Sequence, residues 1–140
     1  MTEVIVTKSI NVSANKAWTM LSSFRGIEHI SPVERSVTEG HGAGAKRICY
    51  LPDGAAIHEV LDQVEDDSME MQYKITDGPF PIQNYVSNVK VSSTGNDQCR
   101  ITWGCTFECG DEVKDDMIKL FEGFYNVIIE SLEGLIQSQS

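Results

Sequence analysis

Residues 111–137 constrain the architecture more than any other segment of this chain. Val113, Met117, Leu120, Phe121, Phe124, Ile128, Leu132 and Leu135 recur at steps of three and four, the stripe of a single amphipathic helix. Such a helix runs ~40 Å, longer than an average one. Asp111 is its expected cap, and Glu112, Asp115 and Asp116 suit the positive end of its dipole. Nearly everything before it reads as strand, so its apolar stripe has to be buried against a sheet.

The strand-like runs are 3–12, rich in β-branched residues, then 33–39, 45–51, 55–65, 68–77, 83–93 and 98–109. Their separators, GHGAG, PDG, EDD, DGPFP and STGND, are turn chemistry. Short strands with tight connections imply antiparallel hairpins. After the first strand, Ser13 caps a short helix through about Phe24, with Ala17, Leu21 and Phe24 on one face and Trp18 nearby. Gly26 ends it. A second helical turn, GIEHIS, stops at Pro32, whose ring disfavours helix in the residue before it. The order is strand, two short helices, six strands and one long helix. We expect one α+β domain over residues 1–140.

A chain of 140 residues buries roughly 68–70 % of its unfolded surface and folds without disulfide or metal. The net charge of −10 argues against nucleic acid, which needs a basic stripe, and against a polybasic membrane site. The start, MTEVIVTKSI, lacks a signal pattern, and no run approaches about 18 apolar residues. The expectation is a cytoplasmic protein with no stable membrane insertion, a monomer or a weak homodimer. Cys99, Cys105 and Cys109 share one strand parity. However, they would stand ~20 and ~13 Å apart along the strand, too far for zinc–sulfur bonds of about 2.3 Å. His29, His41 and His58 show no ligand spacing, so neither metal nor cofactor is expected.

Other polar signals are structural. Gly40–Gly44 precedes a strand, not a helix, and reads as a turn rather than a phosphate loop. His58 points away from the face that carries Glu59. Ser22, Ser23 and Ser87 lack a hydrolase pattern, and Asp66 and Asp67 belong to a solvated hairpin turn.

The hairpin KRICYLPDGAAIHEVLD, 46–62, carries the chemistry. If its turn centres on Asp53, Arg47 stands opposite Glu59. One face then holds Arg47, Cys49, Leu51, Ala55, Ile57, Glu59 and Leu61, the other Ile48, Tyr50, Ala56, His58 and Val60. Both faces contain apolar residues, so the pair is either a surface ion pair or a desolvated one facing inward. An inward pair can orient a ligand, or supply a cation for a developing oxyanion and a base for proton transfer. The last strand is less ambiguous: Ile101, Trp103, Cys105 and Phe107 share the face turned to the long helix. The space between is either a filled core or a cavity.

The element order, with GAKR, Leu51-Pro52, HEVLDQVEDD and DGPFPIQNY, resembles the helix-grip (Bet v 1-like, START-like) superfamily. It is most similar to the polyketide cyclase/dehydrase-like branch, which includes plant abscisic-acid receptors and lachrymatory-factor synthase. The resemblance implies a curved antiparallel seven-stranded sheet wrapped around the C-terminal helix, enclosing a cavity for a small hydrophobic or amphipathic, lipid-like molecule. It places Tyr73, Ile75, Tyr85 and Ser87 on the concave side and makes Leu51-Pro52 a gate. Arg47 and Glu59 match the pair implicated in the synthase-like members. The segment between them is shorter than in the receptors. The pocket lysine of the receptors has no counterpart between Lys16 and Lys46, so abscisic acid is not implied.

The candidate ligand-binding set is Leu51, Pro52, Ile57, Tyr73, Ile75, Phe80, Tyr85, Ser87, Trp103, Cys105, Phe121, Phe124, Tyr125 and Ile128. Three functions stay open: a binder or carrier, a cofactor-free cyclase, dehydratase or isomerase using Arg47 and Glu59, and an interaction module with a vestigial cavity.

Overall fold

The computed structural model describes residues 1–139. Alternating buried and exposed residues build strands β1 (Thr2–Ile10), β2 (Arg35–Glu39), β3 (Lys46–Tyr50), β4 (Ala56–Glu65), β5 (Glu70–Asp77), β6 (Gln83–Gly95) and β7 (Gln98–Glu108). They form one seven-stranded curved sheet in the order β1-β7-β6-β5-β4-β3-β2, and every neighbouring pair is antiparallel. Strands β2 to β7 therefore follow one another as a meander. The chain passes from the β1 edge to the β2 edge through helix α1 (Ala14–Ser22) and a 3-10 turn, Ile27–His29. Helix α2 (Asp111–Ser138) lies in the concave face.

Alternation in β7 turns Ile101, Trp103, Cys105 and Phe107 inward. They meet Phe121, Tyr125, Ile128, Ile129, Leu132 and Ile136, the buried residues of α2. The rings of Trp103 and Tyr125 stack with centroids 5.7 Å apart. The C-terminal half of α2 is also tied to β1 and the segment after it. Lys8 pairs with Glu130, the Asn11 backbone N–H donates to Glu133 at 2.6 Å, and Gln137 donates to the Asn11 carbonyl at 3.2 Å. At Gly104 the sheet is so close that a Cβ would lie 2.9 Å from the Val4 carbonyl oxygen.

Several local expectations are corrected. One α-helix and a single 3-10 turn stand where two short helices were expected. Ser13 caps α1 by accepting from the Lys16 N–H at 3.2 Å, but the helix ends at Ser22, because Phe24 turns left-handed at φ 60° before Gly26 is reached. The cap of α2 is Gly110, and Asp111 is the first helical residue. Its extended backbone fills the N-cap position one residue early, which leaves Asp111 and Glu112 in the first turn. Asp66 is exposed in its turn yet accepts a hydrogen bond from the Trp18 indole at 2.9 Å. That bond docks α1 on the β4–β5 hairpin.

Candidate functional site

The hairpin register places Arg47 directly opposite Glu59, and both side chains point inward. They are only 6 % and 7 % exposed, which excludes a surface ion pair. Arg47 Nε donates to Glu59 Oε1 at 2.8 Å, and the Cys49 thiol donates to the same oxygen at 3.2 Å. Irregular register in β4 against β5 falls between His58 and Glu59, a bulge of the kind that re-aims a side chain. A second irregularity, between Gln83 and Val86, coincides with Asn84 at φ 55° and adjoins Tyr85. Asparagine tolerates that conformation.

Phenylalanine does not tolerate it readily, and Phe24 holds it nonetheless. Its ring is 1 % exposed. It lies under the Arg47 guanidinium, whose Cζ is 3.8 Å from the ring centroid, and packs 5.9 Å from Tyr73. A cation over a ring face is attracted by the ring quadrupole, so Phe24 is a platform that sets the height of Arg47. Burial disfavours the charged guanidinium, but the Glu59 carboxylate, helped by Cys49 and Tyr73, more than offsets this and raises its pKa.

The pair borders a cavity of about 210 Å³. From the sheet it is lined by Cys49, Ile57, Tyr73, Ile75 and Tyr85, from the turn after β3 by Leu51, and from α2 by Leu120, Phe121, Phe124, Tyr125 and Ile128. Phe80, Ile27, Pro32 and Val33 complete the wall. The phenols form its polar side. Tyr85 and Tyr125 hydroxyls hydrogen-bond to each other, and Tyr73 accepts from the Trp103 indole at 3.1 Å. Burial pushes Tyr73 up to about 12 and holds Tyr85 and Tyr125 well above the ordinary phenol value. It also raises the Cys49 thiol. These groups are neutral hydrogen-bonding groups near neutral pH.

Of the candidate set, Arg47, Glu59, Leu51, Ile57, Tyr73, Ile75, Phe80, Tyr85, Phe121, Phe124, Tyr125 and Ile128 line this one cavity. Four others do not. Pro52 is exposed in the turn. The Ser87 hydroxyl turns into the sheet and donates to the Gly104 carbonyl at 2.8 Å. Trp103 and Cys105 are inward but sit behind Tyr73 and Tyr125, where they support the wall. Sequence reasoning missed Ile27, Pro32, Val33 and Leu120 as lining residues. Leu120 lay on the recognised helix stripe, whereas the segment around Pro32 carries no periodic signal. Cys49 shared the parity of Arg47, which was the signal available for it.

Neither Arg47 Nη atom, nor Glu59 Oε2, hydrogen-bonds to any described residue. No fully buried side-chain nitrogen or oxygen among the described residues lacks a partner, so these atoms reach open space. A cation and a carboxylate, already in contact, thus keep free donors and a free acceptor at the wall of an apolar chamber.

A curved antiparallel sheet closed by one long C-terminal helix over such a chamber is the helix-grip architecture. The chain belongs to the family described as polyketide cyclase / dehydrase and lipid transport, which it matches over residues 1–137. Among solved structures it is similar to the protein XoxI from Bacillus cereus, at 26 % identity over 96 % of this chain and 95 % of that one, with a TM-score of 0.86. A putative uncharacterized protein from Bacillus thuringiensis is also 26 % identical, over 96 % and 98 % of the two chains, with a TM-score of 0.82. Norcoclaurine synthase from Thalictrum flavum, solved in complex with dopamine and hydroxybenzaldehyde, shares the fold at 17 % identity. It covers 99 % of this chain and 88 % of that one, with a TM-score of 0.81. No curated protein matches the chain. No helix of the described residues is long and apolar enough to cross a membrane.

Proposed function

We propose that this protein binds a small, largely apolar molecule between the sheet and α2, with its polar group held against Arg47 and Glu59. The observation that carries this is the apolar chamber of about 210 Å³ whose one charged spot keeps unused hydrogen-bonding atoms. Ligand sites combine such apolar walls with a few convergent polar groups, and the family includes both transport and cyclase/dehydrase members. Native mass spectrometry of the purified protein tests the proposal, through a co-purified molecule or one taken up from a panel of apolar compounds. A protein that holds none of them at saturating concentration would refute it.

A second reading is favoured by one feature, the open Oε2 of Glu59 beside a guanidinium. A carboxylate poised at an apolar wall can take a proton from a carbon next to a carbonyl, while Arg47 stabilises the oxygen charge that develops. Glu59→Gln would then retain binding and lose turnover. Turnover undiminished in that variant would leave only the binding role.

A further inference from the structure

The cavity's charge balance points to a ligand class. Among the described residues that line it, Arg47 and Glu59 are the only charged ones, and they neutralise each other across 2.8 Å. The remaining polar wall is neutral phenol and thiol. A carboxylate ligand would therefore bring a second negative charge beside Glu59 with no cation left unpaired. An ammonium ligand would bring a second positive charge beside Arg47. Either leaves a net charge against a mostly apolar wall, where uncompensated charge is costly.

What the wall does offer is hydrogen bonds. Arg47 spends only Nε on Glu59, so its Nη donors are free for a neutral acceptor. Size narrows the class further. An apolar cavity of about 150 Å³ holds benzene, and this one, at about 210 Å³, has room for a single ring with small substituents. Phe80, Phe121 and Phe124 supply an aromatic wall for such a ring.

We infer that the cavity selects neutral, single-ring molecules bearing a carbonyl acceptor, and rejects their carboxylate and ammonium counterparts. The inference rests on the binding function proposed above and adds the ligand class to it.

The test is calorimetric titration of the whole protein with three probes of matched shape: 4-methylacetophenone, 4-methylbenzoate and 4-methylbenzylamine, at neutral pH. The expected result is that the ketone binds at least tenfold tighter than either ion. In Glu59→Gln, which leaves Arg47 without its counter-charge, the benzoate should gain at least tenfold relative to the ketone. Equal or tighter binding of benzoate by the native protein would overturn the inference while leaving a binding function intact. So would an unchanged benzoate-to-ketone ratio in Glu59→Gln. The native-protein comparison stands alone if that variant does not fold. Failure of all three probes to bind would overturn the inference, and failure of the native mass spectrometry as well would take the binding function with it.

Discussion

Arg47 sits where a cation is expensive, and its neighbours show how the cost is met. Glu59 supplies the counter-charge, Phe24 a ring face 3.8 Å away, and Cys49 a second donor to the shared carboxylate oxygen. Removing one partner of a buried pair costs about 3–5 kcal/mol, whereas replacing both with apolar groups is often neutral or better. Arg47→Met should therefore lower the urea midpoint strongly, and Arg47→Met with Glu59→Leu should recover most of the loss. A double variant as unstable as the single one would contradict this. The opposition of 47 and 59 was legible from the turn around Asp53. The side they face was not, because Ile48, Tyr50 and Val60 make the outer face look as apolar as the inner one.

Tyr73 gives a second test at this scale. Burial, reinforced by the Glu59 charge, lifts its phenol to about 12, against about 10 in an unfolded chain. Between those values the unfolded state has lost a proton that the native state keeps, so stability falls as pH rises. The contribution is complete below pH ~10 and is lost as pH climbs through ~12, on the order of 2–3 kcal/mol. Denaturation midpoints should decline through this alkaline window, and Tyr73→Phe should flatten part of the decline. An identical slope in that variant would assign the loss elsewhere.

Among the elements, β7 is the most constrained, because α2 packs on its inner face while β1 and β6 flank it. At Gly104 it lies close against β1. Gly104→Ala would press a methyl to 2.9 Å from the Val4 carbonyl, and backbone cannot yield as a flexible side chain would. We expect a loss of about 1–3 kcal/mol, with the thermal midpoint as the readout. A neutral result would show that β1 can shift outward. Element identities were legible because turn chemistry and periodicity agree along most of the chain. Boundaries at α1 and α2 were not. No rule of composition predicts a left-handed Phe24, whose conformation is fixed by the ring's burial under Arg47, or a glycine preferred to Asp111 at the cap.

In the whole molecule, two stretches of α2 do different things. The C-terminal half is bound to β1 and the segment after it through Glu130, Glu133 and Gln137. The middle of the helix, from Leu120 to Ile128, lines the cavity and leaves Leu120 40 % exposed. Leu51 and Phe80, from two turn-rich loops, line the same chamber. Loops with few buried contacts open readily, so bound ligand should slow hydrogen exchange at 51–54 and 78–81. Unchanged exchange at both, with ligand saturating, would deny them a gating role. The architecture was readable because only one element could cover the sheet. The cavity was not, since a void is a shortfall of side-chain volume and no alternation pattern records it.

The claim that this chamber is a ligand site is tested most directly by nuclear magnetic resonance titration of isotope-labelled protein with 4-methylacetophenone. Saturable shifts are expected, concentrated on Arg47, Glu59, Tyr73, Phe121 and Tyr125, with a thermal midpoint that rises with ligand concentration, as linkage requires. Shifts confined to the outer face of the sheet, or none at saturation, would contradict it.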